Sequence, residues 1–591
     1  MPGKYKNLVD MQEKSCATFK DRELLGTKNG KLYEWITYGE FAQMVDHFRG
    51  GLASLGVGPQ DKVAIISNNS VQWAVAAYAT YGLKGIFVPM YESQSMKEWK
   101  YIIQDSGSKV LLVANDEIYS QVENLPSEIE CLQHVVDLAG SISDHKSYKY
   151  LLKVGEDHPA SSQHPEPDDL MGLIYTSGTT GDPKGVLLSH GNIMSNVNAI
   201  EDILDVNPDD RSLSFLPWAH SFGQTVELHC LVSCGASSGF AENVTTIIEN
   251  LAEVQPTLLF SVPRIFNKIY DGVQNKMNAD GGVAKFLFDM GMQKATLKKQ
   301  HGSLGLVDSA LFWLADTIVF NKIRGRFGGR LRYAVSGAAA LSKEVADFID
   351  NMGILVYEGY GLSETSPMVT ANSKAGRRIG SVGKPIPHVT VTLDKSVVGE
   401  ESPDGEIVVH GPNVMKGYHN KPEETASVMT ADGGFRTGDL GRFDSDGFLY
   451  ITGRIKEQYK LENGKYVVPS PLEEKLKLSQ YIEQVMIYGD GRLYNVALIV
   501  PARDMLQKFA GENGISSTGT ALLHDHRIVE LIKKEIATYG ASFKGYEVPK
   551  KFALLEEDWG TENGILTPTL KLKRRIVVDK YKDMIESLYT A

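Results

Sequence analysis

The segment Ile174–Ser189, IYTSGTTGDPKGVLLS, decides the fold of this chain. Apolar residues lead into it and resume after it, so it predicts a strand, a loop and a second strand. Its glycines allow a sharp bend, and its backbone N–H groups, hydroxyls and one lysine, Lys184, are the parts of an oxyanion cradle. The pattern differs from that of the common nucleoside-triphosphatase loop. On composition alone, a mobile Gly/Thr surface loop is the competing interpretation.

The bulk properties restrict the class of protein. A length of 591 residues predicts about three or four folding units, and 42% hydrophobic residues suffice for a core of normal size. The net charge of −12 argues against nucleic acid as a partner. It does not exclude an anionic ligand, because the field in a cleft depends on the residues nearby.

The number of cysteines and the lengths of the apolar runs indicate where in the cell the protein is expected. The four cysteines are too few for a disulfide framework and lack zinc-ligand spacing, so we expect free thiols in a reducing, intracellular setting. The first 15 residues lack the apolar core of a signal peptide, and no apolar run is long enough for a transmembrane helix. We therefore expect a cytoplasmic protein, either soluble or attached peripherally to a membrane.

Strands and helices alternate through most of the chain. Residues 62–114 follow the order strand, helix, strand, helix, strand, which predicts a parallel sheet with helices on both faces. A second alternation follows the opening loop, over residues 191–361. The sequence thus predicts the α/β class, with a large N-terminal domain that contains two α/β-layered subdomains.

The pattern changes from about Gly380. Short β-like runs separated by turn dipeptides such as Asp404-Gly405 predict a small antiparallel β-barrel or sheet. After it, helices and strands mix in a compact segment that predicts a small α+β C-terminal domain. We place the two domains at residues 1–453 and 454–591.

Residues 283–330 are predicted to be helical and basic on one side. The basic residues are Lys285, Lys294, Lys298, Lys299, Lys322, Arg324, Arg326 and Arg330. A solvated helix face is one interpretation of them. The other is a patch that contacts CoA phosphates or anionic lipid.

Four further motifs follow the opening loop in order. They are Tyr360–Thr365 (YGLSET), Arg436–Asp439 (RTGD), Thr452–Arg454 (TGR) and residues 566–575 (LTPTLKLKRR). Together with the loop they closely resemble the acyl-adenylate-forming superfamily of AMP-binding enzymes, over essentially the whole chain. The segments 215–229, 336–341 and 461–473 look most like those of long-chain fatty acyl-CoA synthetases.

The resemblance implies two half-reactions. A fatty acid carboxylate attacks the α-phosphate of ATP to give acyl-AMP and pyrophosphate, and the CoA thiol then attacks acyl-AMP and releases AMP. The C-terminal domain is expected to be mobile and to rotate between the steps about a hinge at Lys456. The segment Lys460–Tyr466 then moves toward the active site. Fatty acid, ATP and CoA are the expected partners and Mg²⁺ the expected cofactor.

Phosphate and metal ligands follow from the same resemblance. The residues that it assigns to the β- and γ-phosphates are Thr176, Ser177, Gly178, Thr179, Thr180, Gly181 and Lys184. Glu364 is the expected Mg²⁺ ligand, with Thr176 assisting, because a hard cation takes oxygen ligands and can bridge phosphates.

The nucleoside site is assigned in the same way. The residues that match the wall of the adenine and α-phosphate site are Gly337, Ala338, Gly359, Tyr360 and Ser363. The aromatic ring of Tyr360 can stack on a purine. Asp439 has acceptor capacity for both ribose hydroxyls, and Arg454 matches a second ribose contact.

Two further residues are expected to be catalytic. Lys571 matches a lysine that reaches the α-phosphate and the carboxylate during adenylation, although Lys573 is an alternative because the surrounding sequence is LKLKR. His220 matches a position on the approach of the acyl group; a buried structural histidine is the alternative. Some relatives place a gating tryptophan four residues after this histidine, where this chain has Gln224; its nearby tryptophan is Trp218.

Two other functions compete with a long-chain fatty acid:CoA ligase. One is an adenylating ligase for another carboxylic acid or for another thiol acceptor, such as acyl carrier protein. The other is a non-catalytic nucleotide-binding or lipid-carrying scaffold, which loss of Glu364, Asp439 or the C-terminal lysine would favour; all three are present. Oligomeric state, chain-length preference and organelle stay open.

Overall fold

The computed structural model describes residues 4–176, 182–567 and 571–590. Within the described residues, its N-terminal part contains seven α-helices and eight strands up to Ile203. The helices are α1 (Leu8–Thr18), α2 (Tyr38–Ser54), α3 (Val71–Tyr81), α4 (Met96–Ser106), α5 (Asp116–Val122), α6 (Tyr148–Asp157) and α7 (His190–Ile203). The strands are β1 (Glu23–Asn29), β2 (Leu32–Thr37), β3 (Lys62–Ile66), β4 (Ile86–Met90), β5 (Ser108–Val113), β6 (His134–Asp137), β7 (Leu170–Thr176) and β8 (Lys184–Ser189).

The next part runs to residue 385 and is again built of alternating strands and helices. Its strands are β9 (Arg211–Ser214), β10 (Ser237–Phe240), β11 (Leu258–Ser261), β12 (Tyr333–Ser336), β13 (Leu355–Gly361), β14 (Met368–Ala371) and β15 (Lys384–Pro385). Its α-helices are α8 (Cys230–Cys234), α9 (Ile247–Val254), α10 (Pro263–Asp280), α11 (Gly282–His301), α12 (Leu306–Ala315), α13 (Asn321–Gly325) and α14 (Lys343–Asn351). Two π-helices, Phe222–His229 and Asp316–Phe320, precede α8 and α13.

The remaining chain forms a small antiparallel unit and the C-terminal part. The first comprises β16 (Thr390–Asp394), β17 (Gly405–His410), β18 (Gly417–Tyr418), α15 (Pro422–Val428), β19 (Phe435–Phe443) and β20 (Leu449–Arg454). The second comprises β21 (Tyr459–Lys460), β22 (Tyr466–Val467), α16 (Ser470–Leu476), β23 (Ile482–Tyr488), β24 (Val496–Pro501), α17 (Arg503–Glu512), α18 (Thr520–Leu523), α19 (His526–Gly540), β25 (Lys551–Leu554), α20 (Arg574–Lys580) and α21 (Lys582–Thr590). Short 3₁₀-helices occur at Leu125–Ser127, Ser363–Thr365, Lys395–Val397 and Ile455–Glu457.

Local sequence explains where many helices begin. The side chains of Ser70, Ser95, Ser147 and Ser189 each accept a hydrogen bond from a backbone N–H in the first turn of the helix that follows. This satisfies a backbone donor that has no partner within the helix. Such capping fixes the start of α3, α4, α6 and α7 independently of tertiary contacts.

Two large sheets confirm the predicted α/β subdomains. The first has the order β18-β8-β7-β4-β3-β5-β6, in which β3, β4, β5, β6 and β7 run parallel and β8 is antiparallel to β7. The second has the order β11-β12-β13-β14-β15, with its first three strands parallel. A third sheet, β2-β1-β10-β9, joins the N-terminal strands to the second part of the chain.

The predicted small β unit is a four-stranded antiparallel sheet, β16-β17-β19-β20. The C-terminal part is α+β, with its sheet in the order β23-β24-β25. It touches the preceding parts through ion pairs of Lys475 with Glu344 and of Arg264 Nη2 with Glu483 Oε1 at 3.7 Å. The contact is apolar as well, because Leu478 of the C-terminal part packs into the core of the preceding part.

The cysteines and the apolar helices agree with the sequence analysis. All four cysteines are free thiols, and Cys16, Cys230 and Cys234 are buried. Among the described residues no helix combines the length and the apolar character that are needed to cross a membrane.

Candidate active site

The strands that flank the opening loop are in register at its mouth. Thr176, the last residue of β7, pairs with Lys184, the first residue of β8. This confirms the two predicted strands of the strand–loop–strand segment. The predicted phosphate ligands Ser177, Gly178, Thr179, Thr180 and Gly181 lie outside the described residues.

Lys184 contacts two side chains that the sequence motifs do not single out. Its Nζ lies 2.6 Å from Glu424 Oε2 and 5.1 Å from the centroid of the Tyr418 ring. Tyr418 arrives there because β18 pairs with β8. The Lys184 ammonium lowers the pKa of the Glu424 carboxyl. Glu424 therefore already neutralises the cation that the resemblance assigns to phosphate.

Glu364 is a half-buried carboxylate on the 3₁₀-helix that follows β13. Its Oε1 accepts a hydrogen bond from the Tyr418 hydroxyl at 2.9 Å, and its backbone oxygen accepts one from Met415 N at 2.9 Å. Burial, and next the Glu364 charge, raise the pKa of Tyr418, so the phenol stays protonated and donates. Glu364 is thus fixed in place while Oε2 makes no hydrogen bond to a described residue.

These donors fit a magnesium ion that is shared with a substrate. Mg²⁺ is usually held by one or two carboxylates together with phosphate oxygens. Glu364 supplies one such oxygen, and among the described residues the Thr176 hydroxyl makes only a long 3.5 Å contact to the carbonyl of Lys184. Within the described residues, no group of three or more His, Cys, Asp or Glu side chains could hold a metal by itself.

Asp439 is the most constrained of the predicted ligands. It lies opposite Arg454 in the β19–β20 ladder and is 3% exposed. Its Oδ1 is 2.8 Å from Arg454 Nε, and its Oδ2 accepts a hydrogen bond from the Tyr360 hydroxyl at 2.7 Å. Burial raises the pKa of Asp439, while the Arg454 charge opposes that shift. Each carboxylate oxygen keeps acceptor capacity beyond these contacts, as two ribose hydroxyls require.

Lys571, in the C-terminal part, lies within electrostatic range of these candidates. Its side chain is accessible to solvent, and its backbone N–H donates to Thr567 Oγ1 at 3.0 Å. Desolvation by the neighbouring protein atoms lowers the pKa of Lys571, and the Arg454 guanidinium lowers it further, whereas the carboxylates of Asp439 and Glu364 act in the opposite direction. Arg454, Asp439 and Glu364, which come from three different motifs, therefore all act electrostatically on Lys571.

His220 lies near the same lysine. Desolvation, and then the Lys571 charge, lower the pKa of His220 to about 4, so the imidazole is neutral near pH 7. Its Nδ1 accepts a hydrogen bond from Phe222 N at 3.1 Å, which leaves the proton on Nε2. Lys573, the alternative to Lys571, is the N-cap residue of α20, and its backbone N–H donates to Ile565 O at 2.9 Å.

The predicted nucleoside wall follows the ends of β12 and β13. Gly337 lies against Phe222, since a Cβ there would come within 3.1 Å of the phenyl ring. Ala338 adopts a φ of 68°, which turns the chain sharply. The Ser363 hydroxyl is 3.1 Å from that of Ser221 and so joins this wall to the His220 segment. Gly359 lies within β13, next to Tyr360.

The segment after His220 contains a buried carboxyl that the sequence motifs did not reveal. Glu227, in the first π-helix, accepts hydrogen bonds from Ser212, Ser214 and Trp218 Nε1 at 3.0, 2.8 and 3.2 Å. Burial raises the pKa of Glu227 to about 7. The signal available in the sequence was an acidic residue within an otherwise apolar helical segment.

Trp218 and Gln224 belong to the packed interior. Trp218 is fully buried, with ring centroids 5.4 Å from those of Trp73 and Phe240. Gln224 donates from Nε2 to the Tyr81 hydroxyl at 3.2 Å. Neither position holds an exposed aromatic ring.

The predicted hinge residue, Lys456, is exposed on the 3₁₀-helix Ile455–Glu457, directly after β20. Its neighbour Glu457 contacts the Ser470 hydroxyl. The site residue Arg454 is therefore only two positions away from the segment that leads into the C-terminal part.

The candidate residues lie on two parts of one chain, and the comparison with known families covers both parts. The chain belongs to the AMP-binding enzyme family: the family model matches residues 12–419, and the model for the C-terminal domain of AMP-binding enzymes matches residues 456–591.

Individual relatives match over nearly the whole chain. Long chain acyl-CoA synthetase 7, peroxisomal, of Arabidopsis thaliana is 32% identical and covers 97% of this chain and 85% of its own length. Long-chain-fatty-acid–CoA ligase FadD15 of Mycobacterium tuberculosis is 32% identical, covering 94% and 92%. Long-chain-fatty-acid–CoA ligase 5 of Rattus norvegicus is 30% identical, covering 99% and 88%.

Solved structures support the fold. The adenylation domain of a carboxylate reductase from Mycobacterium chelonae superposes with a TM-score of 0.81 at 22% identity, covering 99% of this chain and 91% of that domain. The anthranilate CoA ligase AuaEII, solved with anthranoyl-AMP, gives a TM-score of 0.73 at 19% identity, covering 98% and 97%.

Proposed function

We propose that this protein is an AMP-forming ligase that joins a long-chain fatty acid to CoA through an acyl-AMP intermediate. One observation carries the adenylation step: Asp439 and Arg454 are paired at 2.8 Å, and both, together with Glu364, lie near enough to Lys571 to act on its pKa. That set combines ribose acceptors, a metal-ligand carboxylate and a cation at one point.

The first half-reaction has an electrostatic barrier. An oxygen of the fatty acid carboxylate attacks the α-phosphorus of ATP, and the bond to the leaving pyrophosphate breaks. Both reactants are anions, so fixed cations and donors around the phosphorus lower the barrier. Lys571 supplies such a cation, and neutral His220 supplies an N–H donor on the acyl side.

The nucleotide is oriented by groups already described. Asp439 accepts hydrogen bonds from the ribose hydroxyls, with Arg454 beside it, and Gly337, Ala338, Gly359 and Tyr360 line the base. The opening loop, Thr176–Lys184, holds the β- and γ-phosphates. A bound Mg²⁺ supplies charge neutralisation to the phosphates, and Glu364, assisted by Thr176, holds it.

The second half-reaction requires a different arrangement of the C-terminal part. The CoA thiolate attacks the carbonyl carbon of acyl-AMP, and AMP leaves with its phosphate. We place the moving domain at residues 454–591. It rotates about a hinge at Lys456, and the rotation brings Lys460–Tyr466 toward the site of thioester formation. This rotation separates Lys475 from Glu344 and withdraws Lys571 from the phosphate site.

The choice of acid rests on the relatives. Proteins named long-chain acyl-CoA synthetases or long-chain fatty acid ligases, from plant, bacterium and rat, match along almost the whole chain. This supports a long-chain fatty acid and CoA over another acid or a carrier protein.

The test is a panel of acids from C6 to C22, each assayed for ATP conversion with CoA, with acyl carrier protein and with neither. We expect AMP and pyrophosphate as products and mass-verified CoA thioesters from C12–C18 acids. ADP as the main product would contradict adenylation. AMP formation without any C12–C18 CoA thioester would contradict the substrate assignment alone.

A further inference from the structure

Helix α12 is an apolar helix that the protein leaves uncovered. Its sequence is LVDSALFWLA, yet Ala315 is its only buried residue. Leu306, Val307 and Trp313 are 93%, 73% and 66% exposed. Monomeric soluble proteins rarely expose contiguous apolar surface of this kind without a binding function.

The packing of α12 defines its outward face. Lys294 Nζ on α11 is 2.7 Å from Asp308 Oδ1, and Lys298 Nζ lies 5.4 Å from the Phe312 ring centroid. These contacts hold one side of α12 against α11. The exposed residues at 306, 307, 313, 314 and 318 recur at helical spacing on the other side.

The same segment concentrates positive charge. Residues 282–330 contain eight Lys and Arg against three Asp, a net charge of +5, whereas the whole chain carries −12. Lys322 follows the exposed Ile318 by one helical turn. In the described part of the chain, Lys298, Lys322, Arg326 and Arg330 make no ion pair, and all four are exposed.

We propose that α12, with the basic residues beside it, is the face by which this protein docks onto an anionic lipid bilayer. Apolar side chains with basic residues beside them match a membrane interface, where acyl chains cover the former and anionic headgroups attract the latter. Because α12 has only 10 residues, it lies in the interface and does not span the bilayer.

Docking goes beyond the proposed ligase activity and does not depend on it. Docking places the protein on the lipid bilayer, into which a long-chain fatty acid partitions. Since lipid binding is measured without ATP or CoA, it can succeed or fail irrespective of catalysis.

The experiment is sedimentation of the full-length protein with sucrose-loaded vesicles of phosphatidylcholine, alone or with 30% phosphatidylglycerol. The first variant is Leu306→Ser/Trp313→Ser, and its control is Leu32→Ser/Val244→Ser, which alters equally exposed apolar residues elsewhere. The second variant is Lys322→Glu/Arg326→Glu, and its control is Lys31→Glu/Lys149→Glu, at exposed lysines elsewhere.

We expect the wild-type protein to bind the anionic vesicles preferentially. The apolar variant should bind at least about tenfold more weakly, since each inserted apolar side chain contributes to partitioning. Each basic residue near an anionic surface contributes roughly a fivefold factor, so the charge variant should lose about 25-fold or more. Both controls should bind like wild type.

Brominated lipid localises the contact. It should quench the fluorescence of the wild-type protein more than that of Trp313→Phe. Failure of wild type to bind, or equal losses in variants and controls, would overturn the proposal. So would a wild-type dimer that the apolar variant converts to monomer without any loss of lipid binding, because α12 would then contact a second copy.

Discussion

Replacing Lys571 by alanine is expected to separate the two half-reactions. A unit charge about 4 Å from another contributes about 4 kcal/mol at an effective dielectric constant of 20. The effect of losing the Lys571 charge should be smaller than this value, because Lys571 is accessible to solvent and the Arg454 charge remains in place. We expect adenylation to slow about 100-fold, equivalent to ~2.7 kcal/mol in activation free energy.

The assay measures each step alone. Pyrophosphate release dependent on a C16 acid reports adenylation, and conversion of synthetic palmitoyl-AMP to palmitoyl-CoA reports thioester formation. The second rate should stay within about twofold of wild type, because Lys571 has left the site by then. Lys573→Ala is the matched control and should leave both rates unchanged.

The pH dependence provides an independent check. Because the pKa of Lys571 is lowered, the wild-type adenylation rate should fall on the alkaline side before an ordinary lysine would lose its proton. Equal loss of both half-reactions in a folded Lys571→Ala protein would refute this reasoning. A greater loss in Lys573→Ala would refute the assignment of the lysine.

Three further tests address the site and the packing. Asp439→Asn keeps the shape but removes the charge that pairs with Arg454, so the KM for ATP should rise about tenfold in initial-rate assays; an unchanged KM would exclude the ribose contact. Glu227 has a folded pKa of about 7 against an ordinary 4.5, so its contribution to stability is present below pH 4.5 and lost as pH rises to 7. Between pH 4.5 and pH 7, the free energy of unfolding of Glu227→Gln, measured by urea titration, should therefore change by up to ~3 kcal/mol less than that of the wild type. If both proteins showed the same pH dependence, the buried carboxyl would be contradicted. A Cβ at Gly155 would lie 1.7 Å from a backbone oxygen of α2, so Gly155→Ala should lower the melting temperature. Gly272 has open space around it, so Gly272→Ala should raise the melting temperature slightly, because alanine favours a helix over glycine by about 1 kcal/mol. Equal shifts of the melting temperature in the two variants would contradict the packing.

The sequence by itself was sufficient for the α/β class and for the order of the motifs. Strands β3 and β4 are encoded by short continuous apolar runs, and the helix α3 between them begins at the capping residue Ser70; both signals act within a few residues. The two strands around the opening loop were predictable for the same reason. The roles of Asp439, Arg454 and Lys571 followed from motif resemblance.

Only the tertiary structure decided which side chains meet. Tyr418 reaches Glu364, and Glu424 reaches Lys184, because β18 pairs with the edge strand β8, which lies more than 200 residues earlier in the chain. No local pattern encodes such partners, since the contact depends on the path of the whole chain. Burial is equally nonlocal: the sequence of α12 is mostly apolar, but only the surrounding fold leaves Leu306, Val307 and Trp313 uncovered.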